Sequence, residues 1–115
     1  MREGTVALTP LPQADGQTKA RPVVLLRQMP GFGDWLVCGV STQLQQEVSG
    51  FDEIITAQDL DFRQSGLKAA SLVRLGFLAV LPANRLLGVL GTISVRHSKL
   101  LTKLATYLKT ERQKV

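Results

Sequence analysis

The sequence predicts a mainly β chain closed by one helix: a small, strongly bent sheet or partly open barrel, α+β only through its last element. Three observations carry that reading. Apolar runs of five or six residues recur at 22–26, 35–40, 70–75 and 77–81, each bounded by proline, glycine or polar breaks. None is long enough for a buried helix. Only beyond Ser98 does a helical period appear, in Leu100, Leu101, Leu104 and Leu108, with Lys99, Lys103, Lys109 and Arg112 between them.

Taken in order, Thr5-Val6-Ala7-Leu8 is a short strand that Thr9-Pro10-Leu11-Pro12 should stop, because proline cannot donate to a ladder. Residues 13–19 follow as a polar loop with turn chemistry at Asp15-Gly16. Pro22 then opens a strand buried on both faces, Val23-Val24-Leu25-Leu26. A break at 29–34 returns the chain as Trp35-Leu36-Val37-Cys38-Gly39-Val40, which runs straight into Ser41-Thr42-Gln43. Phe32 and Trp35 near that hairpin tip are candidates for stacking on bases or for the edge of a core.

Residues 43–48 read as a loop or one helical turn, and 51–55 as a strand with a wet face. Residues 56–60 form a turn opened by the Thr56 hydroxyl. Gly76 divides the next apolar stretch into two strands, and Pro82 ends them. Residues 83–91 fit either a helical turn or a strand, their two glycines lowering helix propensity. The amphipathic helix then starts at Ser98 as N-cap, with His97 just before it.

At 115 residues the chain is expected to form one domain over 1–115, with enough apolar side chains for one core. The net charge of +5 is unevenly spread. Residues 1–61 carry four Lys/Arg against eight Asp/Glu, and residues 62–115 carry ten against Glu111 alone. A basic surface of that kind suits phosphate backbones, an anionic membrane or an acidic partner chain. Cys38 is the one cysteine, so an internal disulfide and a thiolate metal cluster are excluded; inside an apolar run it reads as a small buried hydrophobe. His97 is the one imidazole, which excludes a two-histidine ribonuclease, and neither a metal-ligand cluster nor a phosphate-binding glycine fingerprint is present. The N-terminus has no signal-peptide core, and the most apolar stretch is broken by Arg74, Pro82, Asn84 and Arg85. The expectation is a soluble cytoplasmic protein that needs no cofactor or metal and no membrane.

What remains is chemistry built on arginine and hydroxyl groups. If 22–26 and 35–40 pair antiparallel, Arg21 and Ser41 come to the same end of the sheet. A guanidinium there can meet two phosphate oxygens at once, and with N–H donors and no acceptor it serves as a donor rather than as a base. The plainer alternative is that Arg21 pairs with a local acid and Ser41 caps its loop.

Gly4-Thr5-Val6, Lys19-Ala20-Arg21-Pro22-Val23-Val24, Val40-Ser41-Thr42-Gln43, Ser65-Gly66-Leu67-Lys68 and Ser71-Leu72-Val73-Arg74 occur in that order. Together they resemble the successive motifs of the MazF/PemK toxins of bacterial toxin–antitoxin systems, over about residues 4–108. The resemblance implies an SH3-like barrel with a terminal helix, a homodimer, and metal-independent, sequence-selective cleavage of single-stranded RNA. It also implies a cognate antitoxin. Arg21 and Ser41 fall on the family's catalytic positions, and Lys19, Thr42, Gln43, Lys68 and Arg74 are the matched polar residues expected to bind RNA. A subgroup has an aspartate two residues beyond the later arginine; here that position is Gly76. A barrel of this kind that binds RNA or protein without cutting is the alternative reading.

Overall fold

In the computed structural model, residues 1–12 and 14–112 are described. Among them six strands form one antiparallel sheet: β1 (Thr5–Pro12), β2 (Thr18–Gln28), β3 (Trp35–Ser41), β4 (Glu53–Ile55), β5 (Ser71–Leu81) and β6 (Gly88–Thr92). Their order is β4-β5-β3-β2-β1-β6. A one-turn helix α1 (Phe62–Ser65) follows β4, and the long helix α2 (Ser94–Lys109) ends the fold. The sheet curls into a half-barrel. No helix among the described residues is long and apolar enough to cross a membrane.

Strand pleating explains why the apolar runs have no polar alternation. Even-numbered Val6, Val24, Leu26, Cys38 and Val40 pack with Ile93, Leu100 and Leu104 of the helical layer. Odd-numbered Ala7, Val23, Leu25, Trp35 and Val37 make a second core with Leu86. Successive side chains point to opposite faces, so both faces of β2 and β3 are covered and both sets of positions must be apolar. Trp35 is therefore a core residue, whereas Phe32 at the β2–β3 turn is 94% exposed.

Two boundaries differ from the sequence reading and one open assignment is decided, each for a physical reason. β1 continues through Pro10 and Pro12 rather than stopping at Leu8. Leu87 N–H donates to Leu8 O (2.7 Å), so the Leu8 backbone faces β6, and alternation turns Pro10 and Pro12 to that same side. The β1–β6 ladder ends at Leu8↔Gly88, so the missing N–H groups meet an open edge. β6 itself is a strand where the sequence left turn or strand open.

α2 begins at Ser94, four residues before the expected N-cap. Arg96 and His97 occupy positions turned toward the sheet and break the apolar period, while Thr92 Oγ accepts the Ser94 N–H (3.1 Å). His97 Nε2 donates to Leu26 O at 2.6 Å. Leu26 stands at an irregularity in the β2–β3 ladder, and the ring takes a carbonyl that has no strand partner. At the other end of the helix Leu108 is 69% exposed, outside the apolar stripe.

Arg96 binds the acids of the chain's first half. Its Nε and Nη2 donate to Asp61 (2.7 and 3.1 Å), and Nη1 donates to Glu53 Oε1 (3.3 Å) and Ile54 O (3.1 Å). Asp59 lies 3.2 Å from Nη2. Lys99 (3.3 Å) and Lys103 both reach Glu53 Oε2. These contacts tie α2 to β4 and to the segment before α1.

The half-barrel closes backbone to backbone. A Cβ on Gly91 of β6 would stand 2.1 Å from Gln64 O, and one on Gly66 would stand 2.1 Å from Leu90 O. Gly66, at φ +73°, also ends α1 in the left-handed conformation. The segment that follows edge strand β4 thus lies directly on edge strand β6.

Two outcomes follow from this packing. Gly91→Ala should lower stability by about 1–3 kcal/mol or more, since backbone must move to admit a methyl group. Gly76→Ala, with nothing within 4 Å of its Cβ position, is the control. Urea midpoints compare them, and equal shifts would refute the closure argument. The second outcome concerns acid. Burial pushes the Glu53 carboxyl up, but hydrogen bonds and charge from Lys103 and Lys99 outweigh it and hold the group below its ordinary value of 4.5. A folded-state pKa below the unfolded one contributes stability that is complete above the unfolded value and lost as pH falls through the folded one. The urea midpoint should therefore drop on acidification below about pH 4.5. Glu53→Gln should flatten that slope; an unchanged slope would assign the acid sensitivity elsewhere.

Candidate active site

The β2–β3 ladder closes at Val23↔Gly39, and two residues further along each strand stand Arg21 and Ser41. β2 is still paired with β1 at this level, through Thr9↔Arg21, and β3 with β5, through Ser41↔Leu72. The sheet therefore splays between β2 and β3, and the gap is a cleft of about 310 Å³. Arg21, Ser41, Thr42, Gln43, Arg74 and Phe77 line it. The wall carries two guanidinium groups and, among the described residues, no carboxylate or imidazole.

Ser41 Oγ accepts the Gln43 N–H (3.0 Å), which holds the β3 exit turn. That contact uses a lone pair of the oxygen and leaves its O–H free to donate. Gln43 in turn accepts from Gln45 Nε2 (2.8 Å).

Arg74 stands opposite Gly39 at the edge of an irregularity in β5. The β3–β5 ladder steps from Gly39↔Arg74 to Cys38↔Leu78, which leaves Leu75, Gly76 and Phe77 without partners on β3. The buried Leu75 N–H is met by Asp52 Oδ1 (3.0 Å), whose other oxygen accepts the Val48 N–H (2.9 Å). Phe77 then lies over Gly39, where a Cβ would come within 3.0 Å of its ring. The Arg74 guanidinium stands 5.9 Å from the ring centroid. Arg74 forms no ion pair among the described residues.

Of the residues singled out in the sequence, the cleft gathers Arg21, Ser41, Thr42, Gln43 and Arg74. Lys19 lies two residues outward from Arg21 on β2, and Lys68 is exposed between α1 and β5; neither is on the wall. Phe77 and the supporting Asp52 were not foreseen. The available signal was Gly39, a bare position inside the bulky run Val37-Cys38-Gly39-Val40. Cys38 is fully buried, and burial pushes its thiol up to about 12, so it is no nucleophile at neutral pH. A larger groove of about 830 Å³ runs between α2 and the 48–52 loop and shares only Arg74 with the cleft.

No family model matches this sequence, and no curated protein does. Among solved structures the chain is similar to the Mycobacterium tuberculosis toxin MazF-mt6, with a TM-score of 0.64 over 94% of this chain and 99% of that one. The chain has a MazF fold. The two sequences are 18% identical, so the likeness carries the architecture, and the roles of side chains rest on the cleft itself.

Proposed function

We propose that this protein is the toxin of a type II toxin–antitoxin system: a metal-independent endoribonuclease that cuts single-stranded RNA with sequence selectivity. It acts in the cytoplasm as a homodimer, and a cognate antitoxin restrains it. The observation that carries this reading is a cleft that gathers Arg21, Arg74 and Ser41 and holds no carboxylate among the described residues, on a MazF fold.

RNA can be cut by its own 2′-hydroxyl, whose oxygen gives its proton to water and bonds to phosphorus as the bond to the 5′-oxygen breaks, the 5′-oxygen taking a proton from water and leaving as a hydroxyl. Negative charge grows on the non-bridging oxygens, and fixed cationic donors stabilise it more than they stabilise the starting phosphate. In this reading Arg21 is the bidentate donor to those oxygens, and Ser41 gives its free O–H to the same phosphate. Arg74 binds a neighbouring phosphate, while Thr42 and Gln43 meet sugar or base edges. Lys19 and Lys68, outside the wall, extend the phosphate track. A non-cutting RNA- or protein-binding module is the second reading, favoured by the lack of a general base on the wall among the described residues. The homodimer is supported by apolar side chains left in solvent along β5 and α2, Leu78, Val80 and Leu108 among them.

Purified protein with mixed-sequence RNA and a chelator decides between the readings: cleavage supports the first, and binding without cleavage the second. Arg21→Ala and Ser41→Ala should each slow cleavage by about 10²–10³ while leaving the thermal midpoint near that of the parent. Equal cleavage by parent and Arg21→Ala would remove Arg21 from the mechanism. On an inactive background, Lys68→Gln should reduce the slope of log affinity against log salt by about 0.7. An unchanged slope takes Lys68 off the RNA path. Light scattering at micromolar concentration should give a dimer, and a monomer there would end that part of the proposal.

A further inference from the structure

Phe77 stands in β5 just past the buried Leu72, Val73 and Leu75, and it is the large apolar side chain there that lines the cleft. It is 43% exposed and lines the cleft together with the two arginines. We propose that Phe77 is a stacking platform for one base of the bound strand, next to the phosphate held by the arginines; this rests on the cleft being an RNA site.

Four features of the structure build such a platform. The ring is placed by the unpaired stretch Leu75-Gly76-Phe77, so its position does not follow from ordinary pleating. The anchor of that stretch is Asp52, 5% exposed, through the Leu75 N–H. The ring is supported by the bare backbone of Gly39, since a Cβ there would approach Phe77 Cδ1 to 3.0 Å and Cγ to 3.3 Å. Finally, the group over the ring is Arg74, near the outer limit of a cation–π contact and without an ion pair among the described residues. A base can replace that guanidinium over the ring, and the guanidinium can then turn to the adjoining phosphate.

No other aromatic residue lines the cleft among the described residues. Trp35 is buried in the second core, and Phe32 sits at the β2–β3 turn, the far end of these strands from Arg21 and Ser41. A strand entering the cleft has this one ring to stack on. Stacking tolerates any base, because every base has a π face, so Phe77 supplies binding and register rather than the identity of the base.

The test compares the parent, Phe77→Leu and Phe77→Trp. Binding is read with a 2′-O-methyl oligonucleotide of mixed sequence, which cannot be cut through its own 2′-hydroxyl, and turnover with the unmodified RNA. Leucine keeps apolar bulk on Gly39 but has no π face; tryptophan keeps one. Phe77→Leu should weaken binding by about 5- to 150-fold, the range measured for removal of one stacked base partner. The loss should appear in KM, with kcat within about threefold of the parent. Phe77→Trp should bind like the parent. A walk of single abasic sites through the oligonucleotide should find one position whose loss matters to the parent and no longer matters to Phe77→Leu. If the parent cuts RNA and Phe77→Leu binds it equally well, the platform is overturned and the proposed function stands. Loss of binding accompanied by a change from dimer to monomer would also overturn it, assigning the ring to an interface. If the parent neither binds nor cuts RNA, the functional reading fails and the platform fails with it.

Discussion

A single carboxylate holds the part of the sheet on which everything at the cleft depends. Asp52 accepts the Leu75 N–H inside the protein, at the point where β5 loses its partners on β3. A buried N–H without an acceptor costs ~1–3 kcal/mol, so β5 can leave the ladder here only because something replaces the strand bond. Three residues are skipped, and an odd number reverses which face each later side chain meets. Val73 before the step and Leu75 at its start join the core beneath α2; after it, Ala79 and Leu81 join the second core. That reversal lets β5 contribute to both cores.

The charge asymmetry of the sequence acquires a different meaning in three dimensions. The excess of acids in the first half and of bases in the second do not form two opposed surfaces. Arg96, Lys99 and Lys103 of α2 are taken up by Glu53, Asp59 and Asp61. These acids belong to β4 and the segment before α1, away from the cleft, and none of them lines it. The same pairing that fixes the helix thus keeps negative charge off the wall that carries Arg21 and Arg74.

How much of this was legible depended on whether a residue's environment was local. β2 and β3 were visible because both their faces are covered, and the hydroxyl run after Val40 marked where β3 leaves the core. The N-terminal turn of α2 was not visible, because Arg96 and His97 occupy inward positions that only distant acids and the Leu26 carbonyl make acceptable. The extension of β1 through two prolines depends on where β6 ends, and β6 depends on glycine meeting the backbone of Gln64. Gly76 did announce a break in β5, yet nothing local says that the chain resumes pairing with the same neighbour. At the cleft, Arg21 and Ser41 could be placed from strand ends alone. Phe77 could not, because its support is the missing side chain of Gly39 on another strand.

Gly76 also bears on how the cleft works. Nothing stands within 4 Å of where its Cβ would be, and its backbone is not in the left-handed region, so the fold does not demand glycine. A carboxylate at this position would line the larger groove, whose wall also includes Arg74. It would compete with phosphate for the guanidinium, as opposite charges within a few ångströms do. With glycine there, Arg74 has only the Phe77 ring for company among the described residues. Under the proposed function, glycine at this position leaves Arg74 without a neighbouring carboxylate to compete with phosphate.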